Sequence, residues 1–491
     1  MPEPRRKQKR ERSPAPLIPH RIPSGRRTTE QPNATGDTHG PLSLRFWVVL
    51  VLTGVAAGLL GDLMMVVLFT TEHVTYAFHS GSFQAAVTRD SGLRRVVALA
   101  IAGAVGGPAW FILRRRFKGE PAEIDEAVWH DEGRLSFRRC FSSSVVSELV
   151  IGMGASIGRE AAPKLLGGAA GSWLSDFGKL TPAQRTLIVA CGGGAGLAAV
   201  YNVPLGGALF TAEIMIGTLA LPVVMPALVC SGIATFTAWI YLPDHATYLH
   251  VPVHHDSASL IVWAVLVGPV LGVGSVIYIR MIAWVSHHRA RGRLALVAPL
   301  LAFTALVVIG IAYPQLFGNG KDMAHAAFLG GGTIAVLLAL AALKPIVTSL
   351  CLSSGASGGL FTPVMSTGAV LGAGLGLAWG HLWPGVSSSS GALIGAAAMI
   401  GAAMQAPMAA IVLVLELTHS GFAVAVPMII ATASATIATR HIDGYSIYTG
   451  RLPEAPDMPE LHHHEHPDER PGEGYRPGPG DSYRRDGRED F

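Results

Sequence analysis

The chain has 491 residues, of which 50% are hydrophobic and 14% charged, with a formal net charge of +4. That balance excludes an ordinary soluble globule and describes an integral membrane protein, while the small charge leaves no nucleic-acid footprint. Cys140, Cys191, Cys230 and Cys351 lie in or beside apolar runs without metal-ligand spacing, so they read as packing residues, and neither a metal nor a cofactor is expected.

Residues 1–41 are rich in Arg, Lys, Pro, Ser and Thr and carry no hydrophobic period, which predicts a disordered tail. No short apolar segment follows Arg5-Arg6-Lys7, so this is not a cleavable signal, and its basic residues predict a cytoplasmic N-terminus. Contact of that tail with anionic lipid is the alternative reading. A transmembrane domain is expected over 42–452, with one repeat over about 43–242 and a second over about 256–440. Apolar runs at Phe46–Thr70, Val96–Leu113, Leu221–Leu242, Leu260–Trp284 and Leu294–Tyr313 are near or above the roughly 20 residues that span a bilayer. Val203–Ile216 and Pro407–Leu417 are shorter, as expected of broken helices lining a buried cavity.

Charge placement orients these runs. Val96–Leu113 returns to the cytoplasm at Arg114-Arg115-Arg116, whereas Leu260–Trp284 follows a segment, 243–259, without Lys or Arg and precedes Arg289, Arg291 and Arg293. The second half is therefore expected upside down relative to the first, in a multi-pass cell-membrane protein with both termini cytoplasmic.

The stretch from Gly154 to Gly168 places Arg159, Glu160 and Lys164 in an apolar, glycine-rich setting. Ionisable groups in a membrane mark an ion, proton or substrate pathway, and a Gly-rich turn opening a helix offers N–H groups and a positive dipole end to an anion. Gly158, Pro163 and Gly168 recur at the same spacing as Gly358, Pro363 and Gly368. Asn202-Val203-Pro204 leads to Glu213 as Gln405-Ala406-Pro407 leads to Glu416. Corresponding Gly/Pro-broken segments in two halves point to a transporter's central site.

Blander readings accompany each charge. Glu160 and Lys164 are four apart and could form a plain ion pair, and Arg159 could pair locally or draw anions to the pore mouth. Glu213 and Glu416 read as groups that orient helix ends or subunit contacts, Asp62 and Glu148 as structural groups facing the bundle interior, and Lys344 as a side chain that snorkels to an interface. An enzyme would need a nucleophile–base pair or metal cluster at midplane, and the sequence offers neither.

Gly158-Arg159-Glu160, Gly358-Gly359-Leu360-Phe361-Thr362-Pro363 and Ser446-Ile447-Tyr448, in that order, resemble the CLC family of chloride channels and proton/chloride exchangers over roughly Leu42 to Leu452. The resemblance implies an all-α membrane fold of two inverted repeats with partly re-entrant helices. It also implies a homodimer with one anion pore per subunit, chloride as the transported ion and protons as a possible second substrate. Glu160 matches the family's gating glutamate and proton acceptor. Gly158, Arg159, Leu360, Phe361 and Gly119 match its anion-binding positions, and Tyr448 its coordinating tyrosine, with Tyr445 a nearby competitor. Three departures follow. Ala161-Ala162 precede Pro163 where the family has Gly-Pro. The family's serine-bearing loop is represented by Phe117-Lys118-Gly119-Glu120-Pro121, without the hydroxyl, which leaves nitrate, bromide or fluoride open beside chloride. Ile214, just after Glu213, stands where the best-known exchangers carry a second, proton-carrying glutamate, which leaves channel and exchanger both open.

Residues 453–491 turn hydrophilic and predict a second disordered tail, too short for the paired cytoplasmic nucleotide-binding modules of many relatives. His462, His463, His464 and His466 read as tail histidines rather than a metal site, and His245, His250, His254 and His255 as loop histidines that could lend acid sensitivity.

Overall fold

The computed structural model describes residues 42–252 and 257–451, whose regular secondary structure is helical apart from one isolated β-bridge. The first half contains α1 (Leu44–Tyr76), α2 (Phe83–Arg89), α3 (Gly92–Arg116), α4 (Ile124–His130), α5 (Phe137–Gly152), α6 (Ala161–Phe177), α7 (Pro182–Tyr201), α8 (Pro204–Leu209), which continues as a π-helical turn over Phe210–Ile216, and α9 (Leu221–Ala238). The second contains α10 (Ala258–His287), α11 (Leu294–Gly310), α12 (Lys321–Phe328), α13 (Ile334–Ser353), α14 (Phe361–Gly380), α15 (Ser388–Met404), α16 (Pro407–Thr418) and α17 (Ala425–Ile442). Both predicted tails, with their histidines, and His254 and His255 lie outside the described residues.

Seven of these helices (α1, α3, α7, α9, α10, α13 and α14) are long and apolar enough to cross a membrane. Four predicted runs fall on α1, α3, α9 and α10, whereas Leu294–Tyr313 stops at Gly310. Helices α7, α13 and α14 escape a plain reading of apolar runs because glycines or the Lys344-Pro345 pair interrupt them. Val48, Leu52 and Leu59 on α1 and Val265, Leu266, Val273 and Ile277 on α10 are exposed apolar side chains, as a lipid-facing surface requires.

The helix starts are written locally. Ser43, Ser91 and Ser257 accept from backbone N–H groups in the first turns of α1, α3 and α10, and Thr181 and Gln184 close a capping box on α7. The paired signals in the two halves become the same device. Asn202 (φ 56°) and Gln405 (φ 59°) end α7 and α15 in the left-handed conformation, and Pro204 and Pro407 then open α8 and α16.

Packing repeats as well. Helix α1 lies on α9 as α10 lies on α17, and α6 lies on α7 as α14 lies on α15, while α3 against α11 and α8 against α16 join the halves. Glycine lets the central pairs touch backbone to backbone. A Cβ on Gly167 would lie 2.0 Å from the Gly192 carbonyl oxygen, and one on Gly368 2.5 Å from that of Gly395. The short helices α8 and α16 each bury one face against the bundle, through Gly206 and Gly207 and through Leu413 and Leu417, as broken helices at membrane depth require.

Candidate functional site

The turns that open α6 and α14 meet in the middle of the bundle. Gly158 N–H donates to the Gly359 carbonyl at 2.8 Å and Gly359 N–H to that of Gly158 at 2.7 Å, fixing the two turns to each other. Each turn is also held from the opposite half. The Ser147 hydroxyl of α5 donates to the Ser357 carbonyl at 2.7 Å. Lys344 of α13 donates to Ser156 Oγ at 2.8 Å, to the Gly318 carbonyl at 2.8 Å and to the Leu316 carbonyl at 3.4 Å. Lys344 is fully buried, so it does not snorkel to an interface: a buried ammonium needs acceptors, and three converge on it here.

Glu160 is the last residue before α6. Its backbone carbonyl takes the first bond of that helix from Lys164 N, while its side chain turns away. The carboxylate sits at the N-terminus of α14, with Oε1 accepting from Phe361 N–H at 2.7 Å and Oε2 from the Thr362 hydroxyl at 3.0 Å. Glu160 is 3% exposed. Only glycine admits this pose at 359, where a Cβ would lie 2.0 Å from Oε1. The Thr362 hydroxyl is itself 2.6 Å from that of Tyr201, over whose ring the Arg159 guanidinium stands 4.9 Å from the centroid. Pro163, within the first turn of α6, costs no helical bond there, so the Ala161-Ala162 departure leaves the helix start intact.

Beside the carboxylate lies a cavity of about 40 Å³, room for two or three waters or one small anion. Glu160, Phe361, Tyr448, Lys164, Asp125 and Arg451 are among its lining side chains. Tyr448 is 7% exposed, and its hydroxyl has the Met404 sulfur at 3.9 Å as partner. Tyr445 is half-buried and does not line the cavity.

Several expected residues are thus brought together, and others are not. Glu160, Leu360, Phe361 and Tyr448 converge. Gly158 spends its N–H on the bridge to Gly359, so it is not a free donor. Arg159 is buried against Tyr201 and Phe69 rather than lining the cavity. Gly119 is exposed and outside it; the cavity wall from that loop begins at Ala122 and continues through Glu123 and Asp125. The register of the loop is therefore shifted from the sequence expectation, because three residues between Gly119 and Glu123 carry the chain inward. Lys164 pairs with Asp125 Oδ2 at 3.6 Å, whereas the Glu160 carboxylate takes its bonds from α14.

Glu213 and Glu416 orient helix ends, reciprocally. Glu416 accepts from Leu205 N–H at 3.0 Å and Gly206 N–H at 2.6 Å at the start of α8. Glu213, on the π-helical turn, accepts from Met408 N–H at 3.3 Å and Ala409 N–H at 2.7 Å at the start of α16. Each half's carboxylate caps the other half's broken helix. Ile214 beside it is buried and apolar. Asp62 and Glu148 are buried, and both oxygens of each lack a hydrogen-bond partner among the described residues. All four cysteines are free and buried. No group of three His, Cys, Asp or Glu able to hold a metal occurs among the described residues.

Sequence reasoning missed Thr362, Tyr201 and Asp125. Thr362 was visible as a hydroxyl within the Gly-x-Phe-x-Pro element, and Asp125 as a second charge beside Glu123. Their partners are contributed by other helices, and no spacing announces them.

A family model described as "Voltage gated chloride channel" matches residues 105–440. A "Voltage-gated ClC-type chloride channel ClcB" of Citrobacter koseri is 28% identical over 75% of this chain and 89% of its own length. An "H(+)/Cl(-) exchange transporter ClcA" of Yersinia pestis is 30% identical over 62% of this chain, a match that spans 65% of that relative. Among solved structures, a slow cyanobacterial Cl-/H+ antiporter superposes with TM-score 0.74 at 22% identity, over 83% of this chain and 97% of the other. With the family model matched from α3 to α17, over more than half of its length, the chain belongs to the CLC family of voltage-gated chloride channels and proton/chloride exchangers.

Proposed function

We propose that this protein carries chloride across the membrane through the cavity beside Glu160, with the Glu160 carboxylate as its gate. The observation that supports the reading is the pose of that carboxylate. A buried negative group rests on the Phe361 N–H at the positive end of α14, so it occupies an anion's place and competes with one. Displaced or protonated, it leaves that N–H to the transported ion. Leu360 and Phe361 supply backbone donors and Tyr448 a hydroxyl. Glu213 and Glu416 serve as caps, and Ile214 carries no proton. Any proton used in exchange therefore reaches Glu160 by another route than the position after Glu213. The working unit in this reading is a homodimer with one cavity per subunit and both termini in the cytoplasm. Relatives of both kinds, a channel and an exchanger by name, stand beside this chain.

The test is made on the purified chain in liposomes, with a chloride gradient, the potential clamped by valinomycin and potassium, and chloride efflux and internal pH recorded together. Chloride flux is expected to rise as pH falls, because protonation frees the gate, and Glu160→Gln is expected to conduct at a rate independent of pH. An unchanged flux and pH profile in Glu160→Gln sinks the assignment. Uphill proton movement driven by chloride means exchange; chloride flux without proton movement means a channel. The same assay with nitrate, bromide or fluoride ranks the anions.

A further inference from the structure

The cavity contains a cation that the gating scheme does not use. Lys164 lies one turn into α6 and is 8% exposed. Its Nζ stands 3.6 Å from Asp125 Oδ2, 4.7 Å from the centroid of the Tyr448 ring and 5.2 Å from that of Phe210. All four residues line the cavity that also contains Glu160 and Phe361. An ammonium has three donors, and among the described residues Asp125 is the one ionic partner of this one. Arg451, the other cation of the lining, is tied to Glu123. Asp125 is 4% exposed, and its Oδ1 is buried without a hydrogen-bond partner among the described residues. A buried ammonium with one long ionic contact and aromatic faces around it has unspent donors, and the space they face is the cavity.

We propose that Lys164 is a direct ligand of the transported anion, a fixed positive charge in the cavity held in place and tempered by Asp125. The inference rests on the reading of this cavity as the anion pathway. Asp125 has two effects in this scheme. It compensates the ammonium while the cavity holds no anion, and it weakens the ammonium's hold once one is there. Conduction needs binding favourable enough for entry and weak enough for exit. A lone buried lysine would satisfy the first condition and fail the second.

Chloride binding to the purified full chain is measured by calorimetry, alongside thermal unfolding and liposome flux. The doubly neutral variant Lys164→Met/Asp125→Asn leaves no unpaired charge, so it is the variant expected to fold. Its chloride affinity is expected to fall by about tenfold or more relative to that of Asp125→Asn, the effect of losing one charge-assisted hydrogen bond. Asp125→Asn alone is expected to bind chloride more tightly and release it more slowly, with a lower turnover. A folded double variant that binds chloride as tightly as Asp125→Asn overturns the proposal. Should the double variant fail to fold, Lys164→Arg decides: its planar fork fits nitrate better than a point charge does, so the nitrate-to-chloride affinity ratio is expected to shift several-fold, and an unchanged ratio overturns the proposal. Failure of the underlying reading looks different. If the wild-type chain neither binds nor moves any of the anions, or moves chloride with no dependence on Glu160, the pathway assignment falls and this inference with it. Flux that depends on Glu160 while the double variant binds chloride as tightly as Asp125→Asn removes Lys164 alone.

Discussion

The turn at Gly158 delivers three ionisable side chains, Arg159, Glu160 and Lys164; the corresponding turn at Gly358 delivers Leu360, Phe361 and Thr362, one hydroxyl and no charge. Yet the two turns are framed alike. Each opens a helix packed through glycines on the next, each is tied by a side chain from the opposite half, and each is followed by a broken helix capped by a carboxylate from the opposite half. The shared features involve the backbone, and the differing ones are side chains. Symmetry of the backbone brings two helix N-termini to one place, and asymmetry of the side chains lets one half supply the carboxylate and the other the donors on which it rests.

Substitutions can break that comparison, beginning with the ties. Lys344→Met strands three acceptors around Ser156, and each unsatisfied buried polar group costs about 1–3 kcal/mol. A loss of about 3 kcal/mol or more is therefore expected, read as a lowered thermal-unfolding midpoint in detergent. Its counterpart Ser147→Ala removes one neutral hydrogen bond and should cost only about 1 kcal/mol. Equal losses for the two would mean that the frame is more symmetric than its side chains suggest.

Thr362→Val tests the seat of the proposed gate. It removes the hydroxyl that Glu160 Oε2 accepts from and leaves the Phe361 N–H in place. A hydrogen bond to a charged group contributes about 1.5–3 kcal/mol, so chloride flux near neutral pH is expected to rise by about tenfold, if release of the carboxylate limits flux. Flux that falls instead would assign the hydroxyl to the anion rather than to the gate.

The smallest expected effect concerns the reciprocal caps. Glu416→Gln and Glu213→Gln should each cost about 1 kcal/mol, the usual magnitude of a lost cap and its dipole interaction. Their thermal-unfolding shifts should agree closely, because the two caps use the same pair of N–H groups at the same place in each broken helix. A much larger loss for Glu213→Gln would point to a second role for its π-helical turn.

Much of this is legible in the chain alone. Glu160 was identifiable because a carboxylate in an apolar, glycine-rich segment is expensive enough to need a reason. The correspondence of Glu213 and Glu416 was readable because the Pro-to-Glu spacing repeats, whereas the choice between helix ends and subunit contacts came from the N–H groups that each accepts. Less legible were the loop around Gly119, where a shift of a few residues moves the cavity wall to Ala122 and Glu123, and the position of Gly158, whose N–H is taken by a partner in the other half.

The sequence by itself determined that the chain is a membrane protein, that it is built twice from Gly/Pro-broken segments, and where its central carboxylate lies. Composition, spacing and the cost of charge in lipid are properties of the chain alone. Only the tertiary structure decided that Glu160 rests on Phe361 and Thr362, that Lys164 faces Asp125 rather than Glu160, and that Lys344 holds a loop instead of reaching an interface. The physical reason is that helical spacing predicts neighbours one turn away on the same helix. A side chain at a helix N-terminus can turn off its own helix altogether, and its partner is then set by which element folding brings alongside.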